Sequence, residues 1–191
     1  MAGCVLTSGY QLACQAGSAG VHTVYIAGHF KGVVYYSEAD NGGASTGILE
    51  SWEDPLAVST LDFKTFEQDV QIAAGTENVV ADRVNQTVYI EQSVEITIHY
   101  GKDPLVNDAN RTMMQELIKG NMAIIVRENN GNHRLYGAEN GLRVTAGAGG
   151  TGKAFGDLNG IVLTLSGMEP DFAPLVNLGI AAPVNGQPFT I

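Results

Sequence analysis

Thr87-Val88-Tyr89-Ile90-Glu91-Gln92-Ser93-Val94-Glu95-Ile96-Thr97-Ile98-His99-Tyr100 is the stretch on which the fold turns. Its even positions Val88, Ile90, Val94, Ile96, Ile98 and Tyr100 are apolar. Its odd positions Thr87, Glu91, Ser93, Glu95, Thr97 and His99 are polar, with Tyr89 the exception. Side chains on a strand point to opposite faces in turn, so this pattern predicts one long strand with a core face and a face toward water or a partner.

Shorter strands are expected on either side, at 21–30, 33–36, 61–72, 122–126, 134–136, 142–144 and 161–165. The stretch Leu61–Ile72 changes phase between Phe63 and Phe66, which predicts a bulge or break. Asn-Gly occurs five times, at Asn41-Gly42, Asn130-Gly131, Asn140-Gly141, Asn159-Gly160 and Asn185-Gly186. That pair suits type I′ hairpin turns, whose two central residues both need positive φ. Three of the pairs fall between Met122 and Leu165, so that half reads as a β-meander. One helix is expected, with Asp108 as N-cap, Met113, Met114, Leu117 and Ile118 as its apolar stripe, and Gly120 just past its end.

Two segments lack this regularity. Residues 37–59 carry several glycines and carboxylates and little periodicity, and read as an arm-like insert. Its sizeable apolar residues Ile48, Leu49, Trp52 and Leu56 are the candidate intersubunit contacts, since large apolar side chains dominate interface energies. The tail 169–191, with Pro170, Pro174, Pro183 and Pro188, reads as an extended C-terminal arm. The expected architecture is one domain over 1–191: mostly β, an antiparallel sandwich or barrel with one flanking helix and extended arms.

Composition narrows the function. Charged residues are only 16% of the chain, there are 24 glycines, and the formal net charge is −10. A surface that grips nucleic acid needs clustered Lys and Arg, and this balance argues against one. Cys4 and Cys14 form no zinc motif and read as reduced thiols or, as the alternative, a disulfide. No basic leader precedes the early apolar residues, and no apolar run is long enough to span a bilayer, so synthesis and retention in a cytoplasm are expected.

Gly147-Ala148-Gly149-Gly150-Thr151-Gly152-Lys153 resembles both G-x-G-x-x-G and a P-loop. A P-loop continues with Ser or Thr, where Ala154 stands here, and both motifs need a helix starting within the glycines. The residues that follow, with Gly156, Asn159 and Gly160 among them, are not helical in character. A flexible loop between strands is expected, with no nucleotide or other cofactor. The histidines His22, His29, His99 and His133 are scattered, so no metal site is expected. No nucleophile-elbow pattern surrounds Ser166, and no catalytic constellation is evident.

The order of elements from Thr87 to Val176 resembles bacteriophage tail tube (major tail) proteins. The features that carry the resemblance are the strand Tyr89 to Tyr100, the helix from Arg111 to Gly120, and the strand Ala123 to Val126. They continue through Asn129-Asn130-Gly131, Leu135-Tyr136-Gly137, Glu139-Asn140-Gly141, Gly156-Asp157 and the strand Ile161–Leu165 to Gly167-Met168-Glu169. The resemblance implies a non-enzymatic virion protein, assembled in the host bacterial cytoplasm. Its partners would be copies of itself, in a homo-oligomeric ring of hexameric type that stacks into a tube, and other tail or neck proteins. DNA would be passing cargo, and no membrane is involved. A single-ring neck, tail-terminator or tail-tip protein, and a carbohydrate- or receptor-binding β-sandwich module, are the alternatives.

Overall fold

The computed structural model describes residues 20–29, 33–36, 48–53, 63–68, 73–82, 84–100, 104–154 and 156–176, with backbone only at 33–36, 48–53 and 104–109. Cys4, Cys14, Leu56, Asn41-Gly42 and Asn185-Gly186 therefore lie outside the described residues. The strands are β1 (Val21–Gly28), β2 (Val33–Tyr36), β3 (Ile48–Glu53), β4 (Lys64–Glu67), β5 (Ala74–Asp82) and β6 (Thr87–His99). After the helix α1 (Pro104–Lys119) come β7 (Met122–Glu128), β8 (His133–Tyr136), β9 (Arg143–Gly150), β10 (Gly160–Glu169) and β11 (Leu175–Val176). They form two sheets. Sheet A runs β2-β3-β11-β8-β7-β1-β4, and sheet B runs β5-β6-β10-β9. The fold is mostly β, two sheets with one flanking helix, as expected.

Alternation decides which residues fill the space between the sheets. Sheet A contributes Val24 and Ile26 from β1 with Ile124 and Val126 from β7; sheet B contributes Val94, Ile96 and Ile98 from β6 with Leu163 and Leu165 from β10. The intervening residues of β1, β7 and β8 (Tyr25, Ala27, Ala123, Ile125 and Leu135) form a second apolar cluster with Phe63, Ala138 and Val176 on the opposite face of sheet A. A strand buried on both faces reads as a continuous apolar run, which is why β1 and β7 show no alternation in sequence.

β6 keeps its predicted alternation through its middle, with Ile90, Val94, Ile96 and Ile98 buried and Glu91, Glu95 and His99 exposed. Its first turn of chain does not, because Val88 is 64% exposed. That end of β6 pairs with β5, a strand missing from the sequence-based expectation, and the β5–β6 hairpin runs beyond the region that sheet A covers. Within the predicted strand 61–72 the structure shows a strand at Lys64–Glu67, with residues 61–62 and 69–72 outside the described set.

The helix begins at Pro104, ahead of the expected cap at Asp108. A proline in the first turn loses no hydrogen bond, because that N–H has no helical partner, so Asp108 lies inside the helix and is not its cap. Gly120 closes the last turn through its N–H to the Glu116 carbonyl at 3.0 Å, without a positive φ. Leu117 is buried and Met113 and Met114 pack on the inter-sheet core, whereas Ile118 is 55% exposed and leaves the predicted stripe.

The Asn130-Gly131 hairpin joins β7 to β8, but with a different turn. The Gly131 N–H donates to the Glu128 carbonyl at 2.9 Å, the Glu128 N–H donates to the Asn132 carbonyl at 2.9 Å, and only Gly131 has positive φ, +91°. This is a type I turn closed by a glycine bulge, in which one residue, not two, needs positive φ. Asn140-Gly141 lies where the chain leaves sheet A for sheet B, so the meander is interrupted there, whereas Asn159-Gly160 ends the loop of the antiparallel β9–β10 hairpin.

The two expected arms meet inside the chain. β3, from the insert 37–59, pairs with β2 antiparallel and with β11 in parallel, in the register Leu175↔Ile48 and Val176↔Leu49. Ile48, Leu49 and Trp52 thus stand on a strand of sheet A, with Trp52 opposite Val34.

Candidate interaction surface

Sheet B buries one face against sheet A, and among the described residues no further layer packs on the other. On that outer face stand Glu91, Ser93, Glu95, Thr97 and His99 of β6, with Ala74, Thr76 and Asn78 of β5 in register beside them. β10 adds Val162, Thr164, Ser166 and Met168, and β9 adds Arg143, Ala146 and Ala148. Thr97 alone of these is buried, where Gln68 Oε1 accepts its backbone N–H at 2.9 Å. Hydroxyls tie the surface together: Ser166 Oγ donates to Thr145 Oγ1 at 3.0 Å, and Thr145 Oγ1 donates to the Thr164 carbonyl at 3.3 Å. The result is a surface mainly of small side chains, with hydroxyls prominent, Glu91 and Glu95 as its acids and, among the described residues, Arg143 and His99 as its basic side chains.

Among the described residues no strand pairs with the outer side of either margin of this sheet. β5 is one edge and β9 the other, and neither strand contains Lys or Pro. Exposed edge strands normally carry such residues, which prevent pairing with another chain. At the tip of the β5–β6 hairpin the Asp82 carboxylate accepts the Val84 and Asn85 N–H groups at 2.8 and 3.3 Å. Those two bonds, then the bond from the Asn85 side chain, hold its pKa below the ordinary value. The anchored turn presents Val84, 90% exposed, and Val79 and Val88 on the two strands it joins are exposed as well.

The glycine-rich run proves to be largely strand. Gly147–Gly150 belongs to β9, and the glycines there permit close approach to β10. A Cβ at Gly147 would stand 2.9 Å from Leu163 Cδ2, and one at Gly149 would stand 2.6 Å from the Gly160 carbonyl oxygen. In the following loop the Lys153 and Ala154 N–H groups donate to Asp157 Oδ2 at 2.7 and 2.8 Å, which lowers the Asp157 pKa. The amides that a phosphate-binding loop would turn toward its ligand are here bonded to a carboxylate of the same loop, and the chain continues into β10, not into a helix.

The position of β9 is set by a corner. After β8 the chain bends through 137–141, and Leu142 bridges Met122 of β7 before the strand enters sheet B. A strand that changes sheets this way loses its ladder bonds at the bend. Two buried side chains replace them. Gln92 Oε1 accepts the Gly137 N–H at 2.9 Å while Gln92 Nε2 donates to the Asp171 carbonyl at 3.1 Å. Glu169 accepts the Glu139, Asn140 and Gly141 N–H groups at 3.0, 3.0 and 3.1 Å. Burial nevertheless raises the Glu169 pKa, outweighing those three bonds, and the Glu139 charge pushes in the same direction. The His29 ring lies against Gly141, and burial lowers its pKa despite backbone hydrogen bonds with Ala138 and Glu139. Neither Gln92 nor Glu169 was picked out from sequence. Gln92 carried a signal, as a polar residue on the apolar face of β6; Glu169 carried none.

Tyr136 crosses between the sheets. A Cβ on Gly75 of β5 would meet its hydroxyl at 2.6 Å, and burial, then the charge of Glu77, pushes the phenol pKa up to about 12. Elsewhere, a pocket of about 300 Å³ lies between α1 and sheet A, lined by apolar residues including Ile26, Phe66, Met113 and Leu117, with Lys64 and Glu116 also in its wall.

The remaining candidates stay apart. His22 Nδ1 lies 2.7 Å from Thr23 Oγ1, His99 is exposed on sheet B, and His133 sits on β8 with its pKa lowered by burial and then by Arg127. Among the described residues no three His, Cys, Asp or Glu side chains come together as a metal site, and no helix is long and apolar enough to cross a membrane. Comparison with protein families, with characterised proteins and with solved structures finds no match.

Proposed function

We propose that this chain is a structural subunit that assembles with copies of itself into a ring, as a phage tail tube protein does. One observation carries the reading: among the described residues, sheet B has an uncovered face of mostly small side chains between two edge strands without Lys or Pro. Such edges supply main-chain donors and acceptors for pairing, and the β5 edge of one copy and the β9 edge of the next make a heterologous contact that repeats around a ring. The free face of sheet B then lines the channel. Its small hydroxyls and the carboxylates of Glu91 and Glu95 suit the passage of DNA, because phosphate is repelled and not gripped. The exposed valines of the β5–β6 tip add apolar area toward a neighbour. Ile48, Leu49 and Trp52 are a further proposed contact, now on a strand near the far end of sheet A. The ring, its virion location and the tail role are the proposal; the two-sheet fold with its open edges supports it.

Negative-stain microscopy and light scattering of the purified chain test this. Rings with a central channel are expected, and Val79→Pro, which removes an outward-facing donor from the β5 edge without touching the β5–β6 ladder, is expected to abolish them while leaving circular dichroism unchanged. A stable monomer of about 20 kDa at high concentration, or rings that survive Val79→Pro, would overturn the reading.

A further inference from the structure

We propose that Asn130 is a site of spontaneous deamidation in the folded chain, while Asn140 and Asn159, in the same Asn-Gly context, are held unreactive by the fold. In this reaction the backbone nitrogen of the following residue gives its proton to hydroxide and attacks the side-chain amide carbon. The new C–N bond closes a succinimide, the bond from Cγ to Nδ2 breaks, and the nitrogen leaves as ammonia after taking a proton from water. Water then opens the ring at either carbonyl, so the net change is asparagine plus water to aspartate or isoaspartate plus ammonia. Glycine favours attack because no Cβ obstructs it.

The three sites differ in the features this chemistry needs. At Asn130 the side-chain oxygen accepts the Asn132 N–H at 3.1 Å. Such an Asx turn folds the amide back over the next backbone units, toward the Gly131 nitrogen. The same N–H would also stabilise the negative charge that develops on Oδ1 as the ring closes. Residues 129–132 are all exposed, and nothing lies within 4 Å of the Cβ position at Gly131. The Gly131 N–H does donate to the Glu128 carbonyl, but at an exposed hairpin end such a bond opens readily.

Asn140 is itself exposed, but its amide and the attacking nitrogen are both held. Asn140 Nδ2 donates to the Met168 carbonyl at 2.8 Å, so the amide points away along β10. The Gly141 N–H is held by Glu169 at 3.1 Å, and Gly141 is buried against His29. At Asn159 the attacking nitrogen belongs to Gly160, which is buried in β10 between His99 and Gly150, with the Ile98 carbonyl 2.5 Å from where a Cβ would stand. Reaction at Asn130 places a new carboxylate in the turn beside the Glu128–Arg134 ion pair, whose Oε1 and Nε lie 2.7 Å apart. An isoaspartate there also lengthens the main chain within the bulge that sets the β7–β8 register.

The test is peptide mapping by mass spectrometry after incubation in mildly alkaline buffer, with one sample folded and one in concentrated urea. In the folded sample the acid forms are expected to accumulate at Asn130 at least about tenfold faster than at Asn140 or Asn159, a barrier difference of ~1.4 kcal/mol. In urea the three rates should converge, because only the local sequence then acts. Equal rates in the folded chain, or Asn140 or Asn159 reacting first, would overturn the proposal. So would an unchanged preference for Asn130 in urea, which would place its cause outside the fold.

Discussion

Replacing Glu169 probes the corner that connects the sheets. Its carboxylate is the acceptor for three backbone N–H groups, of which Gly141 belongs to a buried residue and Glu139 and Asn140 to exposed ones. In Glu169→Ala the Gly141 donor is left dry, which costs about 1–3 kcal/mol, and the other two exchange a carboxylate for water at about 0.5–1.5 kcal/mol each. Removing a desolvated charge offsets part of that, leaving a loss of about 3 kcal/mol and, for a chain of this size, a fall in Tm of about 6–12 °C. Glu169→Gln keeps one oxygen for the Asn140 and Gly141 donors and is expected to cost less. The pH dependence has a definite sign. Because burial raises the Glu169 pKa, the folded state holds its proton more tightly than the unfolded chain does. Its contribution is therefore complete below the ordinary glutamate pKa and is lost as pH rises through the raised value. Melting wild type and Glu169→Gln between mildly acidic and neutral pH should show the advantage of wild type shrinking as pH rises. An advantage that grows with pH would mean that the three N–H bonds outweigh burial, and a Glu169→Ala shift below about 2 °C would mean that the corner does not depend on this acceptor.

Gly75→Ala is expected to lower Tm markedly, since its Cβ would meet the Tyr136 hydroxyl at 2.6 Å; pairing it with Tyr136→Phe should recover part of the loss, as a thermal-melt double-mutant cycle would show. Trp52→Ala is expected to preserve circular dichroism and abolish rings in micrographs; an unfolded variant would instead make Trp52 part of the subunit's own core. Calorimetry with ATP and magnesium is expected to show no micromolar binding to wild type, and micromolar binding lost in Lys153→Ala would reverse the interpretation of the glycine-rich run.

What was legible in the sequence follows from how each strand is buried. β6 declared itself because one face is wet and one dry. β1 and β7 were visible as apolar runs because both their faces are covered. β5, Ala-Gly-Thr-Glu-Asn-Val-Val-Ala-Asp, was missed because it is an edge strand exposed along much of both faces, so its residues obey no periodic demand. The run at 147–153 misled for a different reason: glycine that lets a phosphate approach a backbone and glycine that lets β10 approach β9 are the same residue. In α1 the start signal at Pro104 competed with a plausible cap at Asp108, and the residue without an amide hydrogen began the helix. The corner was the least legible element, because its key contacts join Glu169 to residues 139–141 and Gln92 to residue 137, separations that no local pattern records.

That corner also has a mechanical consequence. β8 and β9 are successive parts of one chain, so tension applied along β9 passes into sheet A through covalent bonds and not through side-chain packing alone. Gln92 adds a brace from the middle of sheet B to the bend itself. Sliding of one sheet over the other would have to break that brace and uproot Glu169 at the same moment. A load arriving at the sheet B edge is therefore shared by both layers, and the sandwich responds as one stiff plate.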